Sequence, residues 1–355
     1  MKLFKSLLVA PASLGLLATM AVTANEVTIN DFNAAEEIAV TNSRVDGLEA
    51  RLNNFEAGSF SETTTASFSV GTVLGSIDGS TSERTSLDYQ FNIGLSTSFT
   101  GEDSLDIAID SGNGSPSVMS TAMGFDSGTK LNVDGVTYTF PVGGATMVVG
   151  DATDISTTFT GACLYSSFTD YTPDDCGTGN SLGAGNKGVT ASMGYAFDNG
   201  FSVAAGISSP STELVGEPAD IYGLNAAYST DTFGLAVAYV TDDGGLLTDT
   251  TTWGFQGYYS FDLADLSVGY ESQESGGTDS TGYFVGLTFS DVGPGSVNVA
   301  AATKTLYTSA QSEKMVYEAS YSYPVNDSMT ITPGVFIVED TTDDTGVAVK
   351  ASFAF

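Results

Sequence analysis

The last nine residues, Val347-Ala-Val-Lys-Ala-Ser-Phe-Ala-Phe355, decide how the chain is read. Val347, Val349, Ala351, Phe353 and Phe355 alternate with Ala348, Lys350, Ser352 and Ala354. A period of two is the mark of a strand with one apolar face. The sequence closes on the aromatic Phe355. A closing strand of this kind, with Phe353 and Phe355 as the terminal signal, is what outer-membrane assembly machinery recognises. Its open edge is expected to pair with the first strand and close a barrel.

Working back from that strand, the same period recurs as far as Thr64. Segments rich in Val, Ile, Tyr, Phe and Thr alternate with small or polar residues, and turn residues divide them. The pattern predicts strands near 64–77, 86–99, 103–111, 130–140, 144–151, 187–197, 200–208 and 219–229. It predicts eight more near 232–241, 250–262, 264–273, 280–291, 295–304, 314–323, 328–339 and 346–355. The total is 16, an even number, as a single-chain bacterial transmembrane barrel requires.

The links between strands alternate in length. Short ones fall at Thr100–Glu102, Pro141–Gly143, Asp198–Asn199, Thr230–Asp231, Val292–Pro294 and Pro324–Asp327. Longer ones fall at 78–85, 112–129, 152–186, 209–218, 242–249, 274–279, 305–313 and 340–345. A barrel with both ends in the periplasm predicts this contrast, whereas a soluble sandwich does not. Aromatics gather beside the short links: Tyr138 and Phe140, Tyr195 and Phe197, Tyr258, Tyr259 and Phe261, Tyr321 and Tyr323. They read as an interfacial girdle. Gly194, Gly206, Gly223, Gly257, Gly269 and Gly286, with Ala226 and Ala236, lie inside strands and are expected on the lipid side, where small residues cost little.

The N-terminus has a different character. Lys2 and Lys5 precede an apolar stretch, Leu7 to Met20, and Val22-Thr-Ala24 supplies a cleavage site. Residues 1–24 therefore read as a secretory signal peptide. Residues 25–62 read as a helix of about three heptads, capped at Asn30-Asp31, with Ile38, Val45, Leu48, Leu52 and Phe55 on one seam. That seam serves either an oligomerising coiled coil in the periplasm or an amphipathic helix packed on the rim of the barrel formed by 63–355.

Composition excludes several functions. Removing residues 1–24 takes two lysines and no acids, moving the formal charge from −33 to −35. Such a chain repels nucleic acid. It contains no histidine, which removes the commonest general base and metal ligand, so neither an enzyme nor a cofactor protein is expected. Past residue 24 no apolar run suits a membrane helix. Arg84, Lys130, Lys187, Lys304, Lys314 and Lys350 are too few and scattered for an anion ladder. The acidic pairs Asp242-Asp243, Glu339-Asp340 and Asp343-Asp344 either bind divalent cations that bridge lipopolysaccharide or form solvated surface. Cys163 and Cys176, in an exported chain, are expected to be oxidised to a disulfide that staples the longest loop.

Three stretches resemble the cyanobacterial branch of the carbohydrate-selective porin family. They are Tyr321-Ser-Tyr-Pro-Val-Asn-Asp-Ser-Met-Thr-Ile-Thr-Pro-Gly-Val335, Asp134-Gly-Val-Thr-Tyr-Thr-Phe-Pro-Val-Gly143 and Asn186-Lys-Gly-Val-Thr-Ala-Ser-Met-Gly-Tyr195. Arg44-Val-Asp-Gly-Leu-Glu-Ala-Arg-Leu52 is similar to that family's coiled coil. Those porins carry an S-layer-homology domain between signal and coiled coil, and here only about 20 residues fill that space. The resemblance implies a passive outer-membrane channel, assembled as a homotrimer, for small hydrophilic solutes; sugars, inorganic ions and iron stay open. By resemblance to general porins of this strand number, the loop 152–186 folds inward. Asp170, Asp174, Asp175 and Tyr171 would then line an acidic constriction, whereas a stapled loop on the external surface is the alternative. The acidity implies a preference for cations. A secreted adhesive or surface-layer β protein would share the signal and the acidity, but it would explain neither Phe355 nor the alternating links.

Overall fold

The computed structural model describes residues 64–79, 84–113, 117–125, 127–172, 176, 187–210, 220–243, 249–340 and 343–355. The signal segment and the expected helix of 25–62, with Val45, Leu48, Leu52 and Phe55, lie outside the described residues, as do Asp174 and Asp175.

Strand follows strand from Thr64 onward. The first nine are β1 (Thr64–Asp78), β2 (Arg84–Thr97), β3 (Ser104–Gly112), β4 (Asn132–Val142), β5 (Ala145–Thr153), β6 (Gly188–Ala196), β7 (Phe201–Ser209), β8 (Ile221–Ser229) and β9 (Phe233–Asp242). The rest are β10 (Thr250–Ser260), β11 (Asp265–Ser275), β12 (Thr278–Val292), β13 (Gly295–Thr303), β14 (Tyr307–Thr308), β15 (Met315–Asn326), β16 (Met329–Val338) and β17 (Asp344–Ala354). The two-residue β14 belongs to a loop and pairs only with β12. The other 16 pair antiparallel with their neighbours, β13 passing directly to β15. β17 returns to β1 in a register of ten residue pairs, from Ser69↔Ala354 to Asp78↔Thr345, so the sheet is a closed barrel. One short helix, α1 (Val118–Ala122), sits in the loop after β3.

The outermost pairing at that seam is made by Phe355. Its amide donates to the Phe68 carbonyl at 2.9 Å, the Phe68 amide donates back at 2.8 Å, and the two rings stack with centroids 5.9 Å apart. The terminal aromatic thus extends the closing ladder to the final residue.

Alternation sorts the side chains into two faces. Leu74, Leu87, Leu224, Leu235, Trp253, Phe255, Tyr270, Val285, Ile337 and Val347 point outward and are exposed. An uninterrupted apolar wall of this kind needs hydrocarbon around it. Asp88, Thr190, Ser192, Ser208, Asn225, Thr252, Gln256, Ser267, Glu271, Asn298, Glu318 and Ser320 point inward and are buried. Polar inside and apolar outside is the reverse of a soluble protein, and it is the arrangement of a membrane barrel.

Three expectations change. The link 274–279 is not long: Ser275 pairs with Thr278, and Gly276 and Gly277 (φ 57° and 77°) make a two-residue turn. Two successive left-handed residues suit a primed hairpin turn, which matches strand twist. Most strand glycines face the lumen, where they make room for loops. Gly257, beside the outward Leu235, is the exception. Tyr258 also points inward and packs beside Ala162, Ala227 and Ala236, while its girdle companions Tyr195, Phe197, Tyr259, Phe261 and Tyr323 are exposed on the outer face.

Candidate functional site

The site is the lumen, and its shape is set by what lies against the wall. At the end of β5 the pairing with β6 slips between Gly150 and Thr153. Ala152 takes a left-handed conformation there (φ 53°), and its amide is held by Asp151 Oδ1 at 2.8 Å. This bulge re-aims the strand. The next residue, Asp154, caps a single 3-10 turn, Ile155–Thr158, by accepting from the Ser156 amide at 2.9 Å.

From that turn the chain runs along the inside of the barrel. Ile155 is fully buried with Ile221, Ala238 and Val240, and Phe159 packs on the same group. The Thr160 amide donates to Asn225 Oδ1 at 2.9 Å, and Asn225 Nδ2 donates back to the Thr160 carbonyl at 3.3 Å. The Ala162 amide donates to Gln256 Oε1 at 2.6 Å, and the Leu164 amide donates to Ser267 Oγ at 3.0 Å. Thus β8, β10 and β11 in turn offer one inward polar side chain to the loop backbone. Backbone amides away from water need such partners.

The strongest anchor is Glu318 on β15. Oε1 accepts from the Tyr165 hydroxyl at 2.9 Å and the Phe168 amide at 2.8 Å. Oε2 accepts from the Thr169 amide at 3.0 Å, the Thr169 hydroxyl at 2.7 Å and the Thr172 hydroxyl at 2.9 Å. Five donors on one buried carboxylate replace its lost hydration. Burial pushes the Tyr165 hydroxyl up from its ordinary pKa, and the charge on Glu318 adds to the shift, so this phenol stays a donor.

Glycines complete the fit. A Cβ on Gly223 would come within 2.4 Å of Ile155, on Gly286 within 2.6 Å of the Tyr165 ring, and on Gly334 within 2.6 Å of the Phe168 ring. On Gly269 it would come within 1.7 Å of the Cys176 carbonyl. These hollows let the loop lie flat on the wall. Cys163 and Cys176 are joined in a disulfide with a Cα–Cα distance of 5.8 Å, and Cys176 is buried with Tyr165, Phe284 and Ala302.

The loop after β3 covers the adjoining part of the wall. Ser117 caps α1 and donates to Asp88 Oδ2 at 2.7 Å. Met119 sits over Gly75 and Phe125 over Gly71. The two loops meet where the Asp170 amide donates to the Ala122 carbonyl at 2.8 Å, above a shared cluster of Val73, Ile77, Met123, Phe168, Val316 and Phe336.

The expected constriction residues are therefore divided. Asp170 is exposed at the junction of the two loops, its carboxylate next to Gly124. Tyr171 is half-buried against Phe336, with Lys304 Nζ 5.5 Å from its ring. Lys187 pairs with Asp134 at 2.9 Å, and Lys304 with Asp340 at 3.0 Å; Lys314 also pairs with Asp340. Lys350 faces inward from β17, 5.9 Å from the Phe168 ring.

One stretch of wall differs. On β2, β3 and β4 the inward face carries Asn92, Gly94, Ser96, Asp106, Ala108, Asp110, Thr137 and Thr139, opposite in parity to the outward Leu95, Ile107 and Val136. Ala108 is exposed. Among the described residues, a Cβ on Gly94 would meet only Ser67 Oγ of the neighbouring strand. Sequence reasoning missed this wall and Glu318, because a polar residue at alternating spacing looks the same whether it lines water or holds a loop.

Comparison with known proteins agrees with this architecture. The family described as Gram-negative porin matches residues 132–345. OprB of Pseudomonas putida superposes with a TM-score of 0.65 at 12% identity, covering 82% of this chain and 94% of that one. An anion-selective porin from Comamonas acidovorans gives 0.59 at 15% identity, covering 82% and 99%. A substituted Rhodopseudomonas blastica porin gives 0.58 at 17% identity, covering 82% and 100%. No curated protein matches the sequence.

Proposed function

The chain belongs to the Gram-negative porin family, which makes it an outer-membrane channel, and from that premise we propose that it is a passive, cation-preferring pore for small hydrophilic solutes, working as a homotrimer. The observation that carries this reading is the lumen itself. It is lined by polar side chains and narrowed by a loop pinned to its wall through Asn225, Gln256, Ser267 and Glu318. Passive passage needs no reacting group, because width and lining charge select what crosses.

The cation preference rests on the balance of charge. The chain carries 43 acidic against 10 basic residues. Among the described lysines, Lys187, Lys304 and Lys314 are each engaged by an aspartate. A lumen in such a protein is expected to concentrate cations. The constriction is assigned to the inserted loop around Phe168–Thr172, with Asp170 and Tyr171 on it and Asp174 and Asp175 following in sequence. Outer-membrane lipid and lipopolysaccharide would surround the apolar band, and the barrel-assembly machinery would read Phe353 and Phe355. Sugars, inorganic ions and iron complexes are the solutes to try.

Single-channel recording in a planar bilayer under a salt gradient tests the reading. Stepwise ohmic openings with a cation-selective reversal potential are the expected result. Silence from a folded barrel would overturn the channel, and anion selectivity would overturn the cation preference.

A further inference from the structure

The two inserted loops do not treat the wall evenly, and the glycines record this. Under the long loop and its neighbour, a Cβ on Gly71, Gly75, Gly206, Gly223, Gly269, Gly286 or Gly334 would strike loop atoms within 3 Å. On the β2–β4 wall, the atoms near Gly94 and Gly135 are Ser67 Oγ and the Ala152 carbonyl, which belong to flanking strands. Gly94 pairs with Ala108, which pairs with Gly135, so three minimal side chains stand in a row across three strands. Ala108 in the middle of that row is exposed although it points into the barrel. Solvent therefore reaches the middle of this wall, while one end of it carries the loop after β3: Ser117 and Ser127 donate to Asp88 and Asp110, and a Cβ on Gly112 would meet the Ser127 carbonyl at 2.7 Å.

The open wall has a chemistry of its own. From Ser86 to Thr97 on β2, and along the whole of β3 and β4, no lysine or arginine occurs. Asp106 follows the row by one inward position, taking a hydrogen bond from Ser104, which shares a hydroxyl contact of 3.3 Å with Ser96. Asp110 lies one inward position to the other side and accepts from Ser127 Oγ at 2.6 Å. Asn92 and Gln90 extend the polar surface, with Gln90 Nε2 donating to Asn92 Oδ1 at 3.4 Å. By contrast, the Asp170 carboxylate is turned toward Gly124 at the loop junction.

We propose that solutes cross on an eccentric path down the inner face of β2–β4, and that Asp106 and Asp110 on this wall, more than Asp170 on the inserted loop, set the charge preference. This rests on the channel reading above and locates its filter. A path bounded by minimal side chains is wide where Gly94 and Ala108 lie. Carboxylates just above and below that width act on a passing ion at close range, where water screens least.

The full chain in planar bilayers provides the test. Cys163 and Cys176 are bonded to each other, so an introduced cysteine offers the one thiol for a cationic methanethiosulfonate reagent. Ala108→Cys is expected to lose conductance in steps on reagent addition, and Asp106→Asn with Asp110→Asn to lower the cation-to-anion permeability ratio roughly twofold or more. Asp170→Asn should shift that ratio less than half as far. A conducting Ala108→Cys channel that ignores the reagent, or a larger shift from Asp170→Asn, would overturn the path while leaving the channel standing. A silent unsubstituted chain would overturn both.

Discussion

Glu318 Oε2 accepts from both the amide and the hydroxyl of Thr169, at 3.0 and 2.7 Å, across 149 residues of sequence. The same carboxylate takes three further donors, from Tyr165, Phe168 and Thr172. Nothing in the wall strands depends on it, because their ladder is made by backbone groups. It holds contents to container.

Glu318→Ala should therefore free the loop without opening the barrel. Each donor left buried and unpaired costs about 1–3 kcal/mol, so the docked loop gives way before those costs are met. Single-channel records are expected to show flickering current and higher mean conductance, while the folded band on unheated gels persists. Glu318→Gln keeps one oxygen acceptor and should fall between the two. Quiet, unchanged openings in the alanine variant would refute the latch.

A second substitution reaches the loop from behind. At Gly269 a Cβ would lie 1.7 Å from the Cys176 carbonyl, which no rotamer relieves. Gly269→Val is expected to lift the disulfide segment off the wall and to alter conductance more than twofold, in line with over-packing costs of about 1–3 kcal/mol. Gly257→Ala faces outward, where its nearest contact is Leu235 at 3.2 Å, and should be close to silent. Equal effects would mean that the hollow under Cys176 is not what seats the loop.

At the end of the barrel that carries the short turns, Asp103 ties the turn between β2 and β3. Its Oδ1 accepts from the amides of Phe99 and Thr100 and from the hydroxyls of Ser98 and Thr100, and Oδ2 accepts from the Tyr138 hydroxyl at 2.7 Å. The Thr100 amide, then the Tyr138 hydroxyl, hold this carboxyl well below the ordinary range. A depressed folded-state pKa means stability that is present above the unfolded value of about 4 and is lost as pH falls below it. Urea midpoints of the intact protein should drop between about pH 5 and pH 2, and the drop should be shallower in Asp103→Asn. Parallel curves for the two proteins would show that the turn does not need the charge.

The lipid face makes a prediction of its own. Leu224 lies midway along β8, outward and 57% exposed. Leu224→Arg is expected to destabilise the barrel by about 2–4 kcal/mol, the cost of a cation near the bilayer midplane. Unfolding from liposomes measures it. The same change at Leu263, in a turn and 79% exposed, should cost little. If Leu224→Arg unfolds at the unsubstituted midpoint, β8 does not face hydrocarbon.

The strands were legible because period-two alternation survives wherever one face meets lipid, and β17 shows it from Val347 to Phe353. The segment Glu274-Ser-Gly-Gly-Thr-Asp279 read as a long loop because its composition is that of a loop, yet two left-handed glycines reverse the chain in two residues and the polar flanks continue as strand. The lumen was less legible. Gly206, Gly223 and Gly269 share parity with the inward Ser208, Asn225 and Ser267, and that parity was the available sign that something presses on the wall from inside. What presses could not be read, since Asn225, Gln256, Ser267 and Glu318 meet partners 65 to 153 residues away.

Those distances also impose an order in time. The loop begins at Asp154, but the groups that receive it stand on β8, β10, β11 and β15, all later in the chain. Contacts of long sequence separation form late, because their chain entropy must be surrendered before they return anything. The wall must be built before it can be furnished. A barrel caught during assembly would carry an empty lumen and a trailing segment, and arrival of β15 would mark the moment when that segment first has somewhere to stay.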